Sequence, residues 1–202
     1  MPRGTWAHPQ KASAVRSAPD SGSRQVAALH FLTEDRQAEV YAVRATKNVA
    51  GKDWVRVSVP RRPKSVTGWV PADALGKLRR APKHLVINRQ SLVATLYDAR
   101  GKRLFRARVG VGRPSLPTPK GRFWVREKLR AIGSPVYGPF AIGTSAYSSL
   151  SDWPGGGVVG IHGTNQPELV PGRPSHGCIR MRNPDITRLW RAISVGTPIE
   201  IV

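Results

Sequence analysis

Apolar positions along this chain come in short runs, most of them alternating with polar residues and cut off by Pro or Gly after a few positions, which is the period and length of β-strands. In the first part of the chain the runs are Val26 to Leu32, Ala38 to Val43, Trp54 to Val59 and Gly68 to Val70, with Asp73-Ala-Leu75 as a short closing turn. A second series follows at His84 to Asn88, Ser91 to Tyr97, Arg103 to Val109 and Arg122 to Arg126, all rich in β-branched and aromatic residues. Asn88-Arg-Gln90 and Asp98 to Gly101 supply hairpin turns. Gly110 to Gly121 is dense in Pro and Gly and reads as a surface loop of the kind that borders a site. Only one segment keeps a helical period: Asn183 as a cap, Pro184 at the first position, Ile186, Leu189, Trp190 and Ile193 on one face, and Gly196 as the stop. Thr197 to Val202 then returns as an apolar strand. Residues 1–24 show neither period and read as a disordered tail or tether. The pattern predicts an all-β chain: tail, strand-rich barrel over 25–78, linker over 79–82, and a second strand-rich domain over 83–202 with one short C-terminal helix.

Composition changes this picture in two ways. The 202 residues include 33 Lys+Arg against 12 Asp+Glu, a net charge of +21, which points to an anionic partner. The excess is concentrated: Ala74 to Arg130 carries 16 basic and two acidic residues, hence 16 − 2 = +14. Arg103, Arg106, Arg108, Arg122, Arg126 and Lys128 alternate with apolar residues and are expected on solvent faces of strands. No zinc finger, helix-turn-helix or aromatic RNP pattern accompanies them, so specific nucleic-acid recognition is not indicated, and non-specific adhesion stays open. No window is long and apolar enough for a membrane span, and no export signal is visible after the opening Met.

The second change is the single cysteine, Cys178. One thiol makes no internal disulfide, so it is either packing or chemistry. It lies in Ser175-His176-Gly177-Cys178-Ile179-Arg180-Met181, downstream of Gly160-Ile-His162-Gly163-Thr164. Thiol chemistry at neutral pH needs a thiolate, and an imidazole can take that proton and return it to a leaving group. A glycine beside the nucleophile lets backbone N–H groups approach an oxyanion, as Gly177 would. A metal site from His162, His176 and Cys178 lacks a fourth ligand, and no cofactor is called for.

Two resemblances follow. Trp54-Val-Arg-Val-Ser and Gly68-Trp-Val-Pro71 resemble a bacterial SH3-like domain. His162-Gly-Thr and Ser175-His-Gly-Cys-Ile-Arg-Met resemble the signature of L,D-transpeptidases with a YkuD-type catalytic domain, supported by Val109-Gly-Val-Gly112, Pro117 to Phe123 and Thr197-Pro-Ile-Glu-Ile. The resemblance implies a small SH3-like barrel followed by a β-sandwich acting on peptidoglycan stem peptides outside the cytoplasm, in the cell wall or a periplasm-like space. It implies Cys178 as nucleophile, His162 as general acid/base oriented by the Gly163 carbonyl, and His176 beside the nucleophile. Gly177 with the Cys178 N–H would form the oxyanion hole, and Ser175 would support the pocket. Arg180 either holds a substrate carboxylate or anchors the motif. The implied product is a 3→3 cross-link formed through a thioester with release of D-alanine. L,D-carboxypeptidase action at the same site and a non-catalytic, basic wall-binding protein are the alternatives. An anionic wall polymer is the partner that the charge would suit.

Overall fold

The short apolar runs become strands of two sheets in the computed structural model, which describes residues 4–130, 133–150 and 157–202. The first sheet contains β1 (Thr5–Ala7), β2 (Ala14–Arg16), β3 (Gln25–Ala28), β4 (Tyr41–Val49), β5 (Lys52–Val59), β6 (Val66–Pro71) and β7 (Arg79–Arg80). Their order is β3-β2-β6-β5-β4-β1-β7, with every neighbouring pair antiparallel. Val15, Tyr41, Val57 and Val70 are fully buried in its core.

The second sheet is a β-sandwich whose two layers share one strand. It is built from β8 (His84–Asn88), β9 (Val93–Tyr97), β10 (Arg103–Arg108), β11 (Gly110–Gly112), β12 (Gly121–Arg130), β13 (Phe140–Tyr147), β14 (Val158–His162), β15 (Gly172–Ser175), β16 (Ile179–Arg180) and β17 (Pro198–Ile201). The order is β10-β9-β8-β17-β12-β13-β14-β16-β11-β15. Strand β12 pairs with β17 through Gly121 to Trp124 and with β13 through Val125 to Arg130, so it passes from one layer to the other. Leu85, Ile87, Leu96, Val125, Ile142, Ile161 and Ile179 fill the space between, and helix α1 (Asn183–Ala192) closes it with Ile186 and Leu189.

Several expectations change. Residues 4–24 are not a tail: β1 and β2 are integral to the first sheet, because Trp6 supplies a large apolar side chain that packs with Val40, Ala42, Ala81 and Trp124. Arg79 and Arg80 in the expected linker form β7 on β1. Gly110 to Gly112 form β11 despite their flexibility, held between β15 and β16. Asn183 does not cap its helix by a side-chain bond; its amide is used elsewhere.

Arg126 is the largest departure. Arg103, Arg106, Arg108 and Arg122 are exposed as expected, but Arg126 is only 3% exposed because the first sheet covers its face. Its guanidinium pairs with Glu39 and with Glu34, the latter at 2.9 Å, and donates to the Tyr147 hydroxyl at 3.2 Å. Alongside, the Trp124 indole N–H donates to the Val40 carbonyl at 2.7 Å, and the Thr33 hydroxyl donates to Glu127. A register shift between Val125 and Glu127 lets consecutive side chains, Arg126 and Glu127, both reach the segment 33–39 that connects β3 to β4.

Candidate active site

Strand pairing brings the two halves of the motif together. Strands β14 and β16 run parallel, with Ile161 opposite Ile179 and His162 opposite Arg180. Cys178 immediately precedes β16, at the level of Gly160, whose backbone hydrogen-bonds the thiol. Residues 16 positions apart in sequence (178 − 162 = 16) are thus brought to neighbouring ends of one sheet.

His162 is held by backbone on one side and an aromatic ring on the other. Its Nδ1 lies 2.6 Å from the Gly163 carbonyl oxygen, which only accepts, so Nδ1 carries the proton and Nε2 is left as the acceptor. The Tyr137 ring meets the imidazole edge to face, with centroids 4.8 Å apart. Burial, helped by the positive charge of Arg180 and opposed by the Gly163 bond, lowers the His162 pKa to about 4. Burial pushes the Cys178 thiol up, partly offset by the Gly160 backbone and Arg180. The resting pair at neutral pH is therefore thiol and imidazole, not thiolate and imidazolium.

The turn after His162 depends on close backbone approach. A Cβ at Gly163 would sit 3.0 Å from Gly138 Cα and 3.2 Å from Pro139 Cδ, and Asn183 Oδ1 accepts from the Thr164 N–H at 2.9 Å on the same side. The nucleophile loop is held similarly. Gly177 has φ +124°, a conformation that favours glycine. Its carbonyl accepts from the Thr118 hydroxyl at 2.8 Å, while Thr118 Oγ1 accepts from the Gly112 N–H at 2.9 Å. The Ser175 hydroxyl donates to the Cys178 carbonyl at 2.6 Å and accepts from the Gly177 N–H at 3.2 Å. Ser148 donates to the His176 carbonyl at 2.8 Å. Arg180 donates from Nη1 to Gln166 at 3.3 Å, while its buried Nε has no partner among the described residues.

His162 thus ends β14, Ser175 ends β15 and Arg180 lies on β16, while Gly163, His176, Gly177 and Cys178 fall in the turns that flank these strands. Among the described residues, His162, His176 and Cys178 do not form a group placed to hold a metal ion. Sequence reasoning missed Tyr137, Ser148 and Asn183 as parts of this arrangement, and took Thr118 only as turn content. None has a spacing to the motif that flags it; each arrives through strand pairing.

Comparison with known proteins points the same way. A model of the L,D-transpeptidase catalytic domain, YkuD, matches residues 82–201. The L,D-transpeptidase-family protein YqjB of Bacillus subtilis is 33% identical over 129 residues, covering 59% of this chain and 70% of YqjB. Its Bacillus subtilis relative YkuD is 32% identical over 93 residues, covering 46% of this chain, which spans half the length of that protein. In fold, the chain is similar to an L,D-transpeptidase from Mycobacterium smegmatis (TM-score 0.50, 19% identity, 80% of this chain and 99% of the other). L,D-transpeptidase 3 from Mycobacterium tuberculosis gives a TM-score of 0.50 at 17% identity, over 80% of this chain and 98% of the other. With the model spanning more than half of the chain and YqjB aligned over most of its own length, the chain belongs to the YkuD family of L,D-transpeptidase catalytic domains.

Proposed function

We propose that this protein is a peptidoglycan L,D-transpeptidase that forms 3→3 cross-links through a thioester on Cys178. The observation that carries the reading is that Cys178 and His162 meet at Gly160, whose backbone hydrogen-bonds the thiol and where a Cβ would sit 3.8 Å from the imidazole Cδ2; with Nδ1–H committed to the Gly163 carbonyl, Nε2 is left to take the thiol proton during attack. His162 is the general acid/base in this scheme, and Cys178 is the nucleophile. Sulfur adds to the carbonyl between the third stem residue and D-alanine, and the Cys178 N–H stabilises the oxyanion. Gly177 contributes its own N–H once that group leaves Ser175 Oγ, a long bond at 3.2 Å. As the tetrahedral intermediate collapses, His162 returns the proton to the departing amine, so D-alanine leaves and the thioester remains. An amine from a second stem then attacks the thioester, losing its proton to His162, and the thiol is restored. Water in place of that amine gives L,D-carboxypeptidase action by the same residues.

Arg180 suits a substrate carboxylate because the accessible end of its guanidinium is held, among the described residues, by a single long bond to Gln166 at 3.3 Å. Ser175 supports the loop through the Cys178 carbonyl, and His176 flanks the nucleophile. The first sheet is read as a bacterial SH3-like module, on the strength of its Trp54 and Gly68-Trp69-Val70 strands, and the boundary with the catalytic domain falls near 82. Its setting is the wall outside the cytoplasm, where stem peptides lie, and the charge of +21 suits such an anionic matrix. Among the described residues, no helix is long and apolar enough to cross a membrane.

The test is intact-mass spectrometry after treatment with a carbapenem, whose strained amide is an acyl donor for a competent thiol, paired with a muropeptide assay. One adduct on the wild type, none on Cys178→Ala, and 3→3 product only from the wild type are expected. Unchanged product from Cys178→Ala overturns the mechanism. Failure of the wild type both to acylate and to cross-link, with wall binding retained, favours a non-catalytic wall-binding protein.

A further inference from the structure

We propose that the cleft between the first sheet and the sandwich is a second binding site, taking phosphodiester groups of a linear polyol-phosphate polymer. A cavity of about 310 Å³ opens where the loop after β5 meets the segment leading into β12. Arg61 and Lys64 line it from one side, Lys120 and Arg122 from the other, and none of its lining residues is acidic. All four cationic residues are exposed. Existing partners are weak: Arg61 reaches the Val26 carbonyl at 3.3 Å, and Arg122 Nε stands 3.9 Å from Glu200. Among the described residues, neither Lys64 nor Lys120 has an ion-pair partner. Four like charges converging from two sheets repel one another, and an anion seated between them relieves that repulsion. Arginine and lysine both suit phosphate oxygens, and the volume lies at the lower end of the roughly 300–1,000 Å³ of ligand pockets, enough for a short piece of polymer.

Nucleic acid shares the phosphodiester, but the cleft does not offer what bases need. Arg62 lies over the Tyr147 ring, 5.6 Å from its centroid, and Phe123 is packed against the sandwich core, so neither ring is an open stacking platform. The cleft also adjoins the catalytic loop. Its lining residue Pro119 follows Thr118, which holds the Gly177 carbonyl, and Tyr147 precedes Ser148, which holds the His176 carbonyl. A chain bound there would keep the thiol beside wall material. The choice of a polyol phosphate rests partly on the peptidoglycan reading above; the choice of phosphodiester rests on the cleft.

The experiment measures binding of fluorescent poly(glycerol phosphate) to the full chain across a salt series. Lys64→Ala/Lys120→Ala is compared with Arg103→Ala/Arg106→Ala, which removes equal charge from the exposed face of β10. The cleft variant is expected to bind about tenfold more weakly, with a salt slope shallower by about one to two, and the β10 variant to change less than twofold. Thermal melting confirms that both remain folded. Equal loss in the two variants, or no polymer binding by the wild type, overturns the proposal. A single-stranded oligonucleotide of matched charge that binds more tightly, with the same cleft dependence, overturns the choice of polymer. Cys178→Ala is expected to bind the polymer as the wild type does. Polymer binding without carbapenem acylation would sink the transpeptidase reading and leave the cleft standing, and the reverse result would sink the cleft alone.

Discussion

At the ends of β14 and β16, His162 and Cys178 are packed against backbone; at the seam between the sheets, Arg126 pairs with buried Glu39 and with the more exposed Glu34, and buried Glu127 accepts from the Thr33 hydroxyl. Both places take titratable groups out of water, with different results. Burial shifts His162 and Cys178 toward their neutral forms, and the carbonyl and amide groups around them do not reverse it. Burial works against the charge of Arg126 too, but the Glu39 carboxylate outweighs it and the guanidinium stays charged. Burial pushes Glu127 up to about 7, since its partner there is the Thr33 hydroxyl and the neighbouring carboxylates oppose its charge. A buried group keeps its charge only against an opposite charge; among neutral dipoles it gives the charge up. The reaction proposed above needs the second condition at rest, because a proton must be free to move between sulfur and nitrogen.

The largest expected effect comes from breaking the charged cluster. Arg126→Met leaves Glu39 and Glu34 without their cation and is expected to destabilise the protein by about 3–5 kcal/mol, measured by denaturant unfolding. Arg126→Met/Glu39→Leu removes the buried pair as a unit and is expected to regain most of that loss. If the single variant were as stable as the wild type, the seam would not depend on this pair, and the contrast with the active site would fail. A smaller effect is expected at the neutral cluster. Thr118→Val deletes a hydroxyl that joins the Gly112 N–H to the Gly177 carbonyl, at an expected cost of about 1–3 kcal/mol. Slower carbapenem acylation of Cys178 is expected alongside, since the same bond shapes the nucleophile loop. A stability loss with an unchanged acylation rate would make Thr118 a packing residue only.

The sequence showed these two clusters unequally. The candidate site was legible because its chemistry is written in two short motifs: one Cys, two histidines N-terminal to it and adjacent glycines. Strands β8, β9 and β10 were legible for a related reason, since alternating Leu85, Ile87, Leu96, Phe105 and Ala107 pair through local turns. Arg126 was not. Alternation along β12 separates two faces, but says nothing of a second sheet lying over one of them; an exposed arginine and a buried one look alike in such a strand. Strands β1 and β2 escaped for the opposite reason. They are three residues long each, in Ala- and Ser-rich surroundings, and are ordered by pairing with distant strands and by Trp6, not by a period of their own. Asn183 illustrates the same limit at the site, where a residue with cap chemistry is used instead to hold the Thr164 N–H.

The most direct comparison uses pH, because two buried groups should tilt stability in opposite directions with it, so that their contributions largely cancel in the wild type. Glu127 has a pKa raised from 4.5 to about 7, so between these values the folded chain holds a proton that the unfolded chain has released, and stability falls as pH rises. His162 has a pKa lowered from 6.5 to about 4. Between those values the unfolded chain holds the extra proton, so stability rises with pH. From about pH 4.5 to 6.5 the two contributions oppose each other. Glu127→Gln removes the first and is expected to make the rise in Tm with pH steeper over this window. His162→Gln removes the second and is expected to turn the profile downward toward pH 7. Parallel profiles for the wild type and both variants would mean that the two groups titrate as they do in water. The seam and the active site would then differ in composition but not in what burial does to them.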